Sequence, residues 1–156
     1  MPNDAYARVF GKASRGNHLH PGVVVVDDCV ELLDTVAAIL RSAGHEVHTA
    51  EDGLAGLNTI RRVRPAVVVL DLFMPHMSGY EVIDAVRNDP ALDGLFVVVA
   101  TGMAQDAQDL AEMARRADCC LAKPVDSDEL LRVVDDALSR CAAQAPATGL
   151  RRHLHR

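Results

Sequence analysis

The chain of 156 residues contains no tryptophan, and aromatic residues make up only 3% of it. Any core must therefore be aliphatic, and a hydrophobic share of 49% is enough to build one. Positive charge is not in surplus: 16 basic residues face 22 acidic ones, a formal net charge of −6. That balance argues against broad binding of nucleic acid or of anionic membranes. No apolar run approaches the roughly 20 residues a membrane span needs. Arg8, Lys12 and Arg15 have no apolar block behind them, so the N-terminus does not read as a signal peptide. The four cysteines, Cys29, Cys119, Cys120 and Cys141, form no CxxC pair, and no two-pair Cys/His spacing exists for a structural zinc. They read as buried free thiols of a reducing, cytoplasmic compartment. His18/His20 and His153/His155 are HxH pairs in polar end segments and read as solvated.

The chain is organised around residues 66–79, AVVVLDLFMPHMSG. Val67 to Leu70 run straight into Asp71, and a continuous apolar run of that length fits a strand buried on both faces. Such a strand ends on the carboxyl edge of its sheet, where open α/β folds bind ligands. Pro75 forbids a direct entry into a helix. Ser78 and Glu81 have capping-box spacing and predict a helix opening at Gly79. Taken alone, Asp71 reads first as a solvated carboxylate at a strand end, ahead of any functional role.

Length suggests about one domain. Residues 1–21 are aperiodic and read as a flexible leader, residues 22–142 as the folded domain, and residues 143–156 as a solvated basic tail. Residues 23–26 form a first buried strand ending at Asp27–Asp28. A helix follows over about 29–43, with Val30, Leu33, Ala37 and Leu40 on its inner face and Val36, Ile39 and Ala43 beside them. Gly44 is its left-handed stop. Residues 46–50 alternate as an edge strand, 54–63 form a helix that Pro65 ends, and 79–88 form the helix after Asp71. Residues 95–100 are a fourth buried strand running into Thr101–Gly102. Residues 104–117 read as a helix with Ala107, Leu110, Ala111 and Ala114 on one stripe. Residues 119–122 are a short strand ending at Lys123–Pro124. Asp126 and Glu129 open a last helix reaching about Ala142. Five strands alternating with five helices predict a parallel sheet covered on both faces, with right-handed crossovers.

Parallel strands place their carboxyl ends on one rim. The exits then gather Asp27, Asp28, Asp71, Thr101 and Lys123, each after an apolar strand body. Neighbouring carboxylates raise the cost of ionising one another, and a divalent cation removes that cost. All-oxygen ligands favour Mg²⁺ over zinc or copper. A carboxylate beside Mg²⁺ can attack phosphorus and become an acyl phosphate. Lys123 and the Thr101 hydroxyl would then partner the oxygens of the transferring group.

Four stretches in order, VVVVDD (23–28), VVVLDLFMPHMSG (67–79), VVVATG (97–102) and LAKPV (121–125), make the chain resemble the receiver domain of two-component response regulators. The resemblance covers about residues 23–142. It implies a flavodoxin-like (βα)5 doubly wound sheet with strand order 2-1-3-4-5. It implies Asp71 as the aspartate phosphorylated by a histidine kinase or histidine phosphotransfer protein, in a signalling module rather than a turnover enzyme. It implies Asp28 as the direct Mg²⁺ ligand, Asp27 as one acting largely through water, and the Phe73 carbonyl as the remaining protein ligand. Thr101 and Gly102 correspond to the switch loop, Lys123 to the phosphate-pairing lysine, and Pro124 to the residue that usually follows it. The chain departs from the family at three positions. Cys120 stands where the family has Tyr or Phe, which removes the rotating-aromatic switch. Arg116 stands where it has Gly, which predicts backbone strain at the end of the fourth helix. Ala66 stands where it has Asp, away from the site.

The leading expectation is a stand-alone receiver whose output is contact with a downstream protein or onward phosphoryl relay, since too few residues follow Ala142 for an output domain. A degenerate receiver that binds partners without phosphorylation is one alternative. An aspartate-nucleophile phosphohydrolase is another, but such enzymes carry a second acid two residues after the nucleophile, and here that residue is Phe73. Tyr80 reads as a half-exposed packing residue, and Met74, Met77 and Met103 as gap-fillers bordering the rim. The closing LRRHLHR reads as a solvated end rather than a nucleic-acid site.

Overall fold

The computed structural model describes residues 19–102 and 107–144. Their elements are β1 (His20–Val26), α1 (Val30–Ser42), β2 (Val47–Ala50), α2 (Gly53–Val63), β3 (Pro65–Leu70), α3 (Gly79–Arg87), β4 (Phe96–Thr101), α4 (Ala107–Arg116), β5 (Cys119–Ala122) and α5 (Ser127–Gln144), with a 3-10 turn at Pro90–Leu92. The five strands form one sheet in the order β2-β1-β3-β4-β5, and every pairing is parallel. This is the doubly wound order expected from the sequence.

The apolar strand runs are explained by the two cores the sheet separates. Val24, Val26, Val68, Leu70, Val97 and Val99 face one core, which α2 and α3 close with Leu57, Ile60, Val82 and Ile83. Val23, Val25, Val67, Val69, Val98 and Ala100 face the other, closed by α1 and α5 through Leu33, Leu40, Leu130 and Val134. A strand with a core on each side has no polar face to alternate with. Register then aligns the exits: Val26 pairs with Leu70 across β1 and β3, and Leu70 with Val99 across β3 and β4.

Helix starts follow the local chemistry. The Ser78–Glu81 capping box forms in both directions, with Ser78 N–H on Glu81 Oε2 at 2.8 Å and Glu81 N–H on Ser78 Oγ at 3.3 Å. Asp52 accepts from Ala55 N–H at 2.7 Å to start α2, and Asp126 accepts from Glu129 N–H at 2.9 Å at the start of α5. Gly44 is left-handed, at φ +90°.

Several expectations are corrected. β1 starts at His20, inside the segment read as leader, because His20 N–H finds the Arg64 carbonyl at 2.7 Å. α5 continues to Gln144, past the expected end. Val30 is 46% exposed and not on the inner face of α1, since it is the first helical residue and sits above the sheet edge. Ala43 is the C-cap of α1, where the chain turns off the helix, and is exposed. Ala111 is exposed, so the expected stripe of α4 does not bury it; the side chains of Ala107, Leu110 and Ala114 lie outside the description, as does Ala104 altogether. Cys29 and Cys120 are exposed rather than buried, one capping α1 at the rim and the other on the edge strand β5. Arg116 is not strained: the non-glycine residues at positive φ among those described are Arg64 and His76.

Candidate functional site

Among the described residues, the buried polar side chains are Asp27, Asp71 and Thr101. Each follows or ends a central strand, β1, β3 or β4, at the carboxyl rim. An interior that admits so few polar groups places them for a reason other than packing. Asp28 is beside them and exposed. Asp27, Asp28 and Asp71 each offer a carboxylate oxygen, and these three atoms lie within 4.8 Å of one another.

Lys123 enters this cluster from the exit of β5. Its Nζ donates to Asp27 Oδ2 at 2.7 Å and lies 3.6 Å from Asp71 Oδ2. The lysine is held from behind by its own backbone, whose N–H bonds the Thr101 carbonyl at 3.1 Å. The Lys123–Pro124 peptide is cis. The other oxygen of Asp27 accepts from Cys29 N–H at 2.9 Å, which orients that carboxylate. Asp71 Oδ1 accepts a longer bond, 3.4 Å, from Phe73 N–H, and Phe73 itself turns outward at 44% exposure.

Burial pushes the Asp71 carboxyl above the ordinary carboxylate range, and the Asp27 and Asp28 charges add to that, while Lys123 and the Phe73 N–H act in the opposite sense. Lys123 is moved the other way from what burial alone would do. Burial would lower its pKa, but the Asp27 and Asp71 carboxylates outweigh burial and raise it, so the ammonium is retained at neutral pH. The set is oxygen-only, shallow and anionic around one fixed cation. Its donor chemistry fits a hard divalent ion such as Mg²⁺, which takes one or two carboxylates and keeps several waters.

The residues named from the resemblance are therefore gathered, with one exception. Thr101 is buried at the rim, and a Cβ on Gly102 would rest 3.6 Å from Lys123 Cβ, so the exits of β4 and β5 touch. Cys120 is not at the rim: it pairs with Val99, two positions below Thr101, and its side chain is exposed. Met74 is buried and Met77 half-buried beside the rim, Tyr80 is half-buried as expected, and Met103 lies outside the described residues.

Sequence reasoning missed Gly79. Its N–H bonds the Leu72 carbonyl at 2.8 Å, and a Cβ there would collide with the Asp71 carbonyl oxygen and stand 2.7 Å from Leu72 Cα. The first turn of α3 thus rests on the backbone of Asp71. A glycine directly after the Ser78 cap was the available signal. Arg87 and Asp118 were missed too, because nothing local marks a pair 31 residues apart.

Residues 23–135 match the family model described as Response regulator receiver domain. The chain is 30% identical over 120 residues to the DNA-binding dual master transcriptional regulator RpaA of Synechocystis sp., covering 77% of this chain and 50% of that protein. It is 28% identical over 117 residues to Protein PilH of Pseudomonas aeruginosa, covering 75% of this chain and 97% of PilH. The chemotaxis protein CheY4 of Vibrio cholerae superposes with a TM-score of 0.67 at 29% identity, covering 74% of this chain and 97% of that one. The chain thus spans half the length of the first of these relatives and nearly all of the other two. Among the described residues, no helix is long and apolar enough to cross a membrane.

Proposed function

The chain belongs to the response regulator receiver domain family, and from that premise we propose that it accepts a phosphoryl group on Asp71 from a histidine kinase or histidine phosphotransfer protein. The signal then leaves by contact with a downstream protein or by onward relay. The observation that carries this reading is the coincidence of the buried polar side chains with the rim: Asp27, Asp71 and Thr101, joined by Lys123.

In the transfer, an Asp71 carboxylate oxygen attacks the phosphorus in line, a P–O bond forms, and the P–N bond to the donor imidazole breaks. The nitrogen keeps the electron pair and takes up a proton. Burial favours this nucleophile, since a desolvated carboxylate loses little hydration on attack. Lys123 is within a small side-chain movement of Asp71 and supplies positive charge to the equatorial oxygens. The Thr101 hydroxyl donates to a second oxygen from the β4 exit. Asp27, Asp28, Asp71 and the Phe73 carbonyl would hold Mg²⁺, which when bound neutralises the phosphoryl oxygens and the acidic cluster together. Phe73 occupies the place of a general acid and cannot protonate a leaving group, which supports a switch over a turnover phosphohydrolase.

The alignment that covers 97% of PilH supports a module that acts largely as a receiver; we take residues 22–142 as its functional unit, and a histidine-kinase donor implies the cytoplasm as its place of action. The test is intact-mass measurement after incubation with acetyl phosphate and magnesium. A single phosphoryl mass, mapped to Asp71 and absent from Asp71→Asn, is expected. Label retained in Asp71→Asn would place the acceptor elsewhere.

A further inference from the structure

Helices α3 and α4 are joined by two arginines that cross in opposite directions. Arg116, the last residue of α4, places Nη1 2.9 and 3.1 Å from the two carboxylate oxygens of Asp84 on α3. Its Nη2 lies 2.9 Å from Glu112, one turn earlier on α4, and its guanidinium carbon stands 5.6 Å from the centre of the Tyr80 ring. Arg87, the last residue of α3, reaches back to Asp118 at 2.8 Å and to the carbonyls of Leu95 at 2.9 Å and Arg116 at 3.3 Å. The same Asp118 oxygen accepts the Val97 N–H of β4 at 2.7 Å.

The two crossings differ in kind. The Arg87 side includes a part-exposed pair with Asp118 but also ends on two backbone carbonyls, Leu95 just before β4 and Arg116 at the end of α4, so it fixes where β5 begins. The Arg116–Asp84 side joins only side chains, and both partners are partly solvated, at 34% and 59% exposure. Such pairs are weak and salt-screened. It is therefore a contact that opens at small cost while the Arg87 contact stays closed.

Both helices that the Arg116 clasp joins lead to the site. Through Gly79, α3 rests on the Asp71 backbone, and Tyr80 and Asp84 lie one turn apart on that helix. The start of α4 follows Thr101–Gly102 by a few residues. In the arrangement that contains the clasp, Lys123 is on Asp27 and 3.6 Å from Asp71.

Resting on the phosphoacceptor reading above, we propose that Arg116 is a positioning residue: clasped to Asp84, it holds α4 so that Thr101 and Gly102 at the β4 exit keep the arrangement in which Lys123 pairs with Asp27. A phosphoryl group at Asp71, which draws Lys123 and Thr101 toward itself, works against the clasp. The clasp uses one of the two residues at which this chain leaves the family pattern of its switch region, and gives α4 a coupling to the site that does not pass through position 120. Coupling is reciprocal. Opening the clasp must then tighten binding of a phosphoryl mimic by no more than the clasp is worth, about two- to fivefold for an exposed pair.

The test is titration of the full chain with beryllofluoride in the presence of magnesium, at low and high salt. Asp84→Asn and Arg116→Gln should each lower the dissociation constant about two- to fivefold. The double variant should do no more than either alone, and the charge swap Asp84→Arg with Arg116→Asp should return it toward the parent value. In the parent chain, part of the salt dependence should vanish on Arg116→Gln. Unchanged affinity in the single variants, or additive effects in the double variant, overturns the proposal even where the parent binds normally. A parent chain that binds no beryllofluoride and gains no phosphoryl mass at Asp71 overturns the phosphoacceptor reading and the clasp with it.

Discussion

The exits of β1 and β3 and the corner where β4, α4 and β5 meet are built on different principles. At the first, both strands have a partner on each side, β3 is buried along its whole length, and the carboxylates are fixed by backbone donors at Cys29 and Phe73. At the second, β5 is a four-residue edge strand with Cys120 and Ala122 exposed, and the neighbouring helix is tied down by partly solvated ion pairs. Mutually repelling carboxylates must be held in place by something stiffer than their repulsion, and a doubly covered sheet centre provides it. A surface that changes with the charge state of the site must be cheap to move, and weak pairs at the sheet edge provide that. The rigid and the yielding parts are neighbours, bridged by the Lys123 side chain, which reaches from the exit of β5 to Asp27 at 2.7 Å.

The contrast is sharpest for Asp71→Asn, which should abolish phosphoryl uptake from acetyl phosphate altogether while leaving the edge untouched. Lys123→Ala comes next. Loss of a preorganised positive group should slow phosphorylation by about a hundredfold, read from single-turnover mass spectra. Two glycines then separate the regions by stability. Gly79→Ala forces a methyl into the Asp71 backbone and should cost about 1–3 kcal/mol in urea unfolding. Gly102→Ala meets Lys123 Cβ at an ordinary 3.6 Å and should be close to neutral. Equal losses would break the comparison. Within the edge, Arg87→Ala should cost more than Arg116→Ala. It takes the Arg87 donor from the Leu95 carbonyl and the counter-charge from Asp118, about 1–2 kcal/mol, whereas the part-exposed Arg116 pair contributes about 0.2–1 kcal/mol.

The smallest effect is electrostatic. Asp71 has its pKa raised on folding, so between the ordinary carboxylate value and that raised value the folded chain holds more protons than the unfolded one. Stability then falls as pH rises through that window, and at neutral pH the ionised carboxylate opposes folding. Asp71→Asn removes this term. It should raise the thermal midpoint slightly at pH 7 and flatten the mildly acidic part of the pH–stability curve. A variant less stable than the parent at pH 7 would contradict the assignment of burial as the dominant cause.

The parallel sheet and the rim were legible in the sequence because the same physics wrote both, whereas the strand order came from the family resemblance. A strand with a core on each side must be apolar throughout, so the first polar residue marks its exit, as Asp27, Asp71 and Thr101 each do. The capping box at Ser78 and Glu81 was legible because it is a contact between residues three apart. Arg116 was misread because its cost was judged from a local rule about left-handed helix ends, while the actual backbone there avoids that region. The partners that matter to it, Asp84 and Tyr80, lie on another helix. Val30 was misplaced for a related reason: a helical stripe continues in sequence past the point where the helix rises above the sheet.

The 2.7 Å contact between Lys123 and Asp27 has one more consequence. It gives the acidic pocket a tethered counter-ion, present from the moment the chain folds. The fold therefore does not wait on dissolved metal to become tolerable. A divalent ion held by these carboxylates would compete with, or share Asp27 with, an ammonium that cannot diffuse away, and the grip of that ammonium would set the concentration at which the ion takes hold.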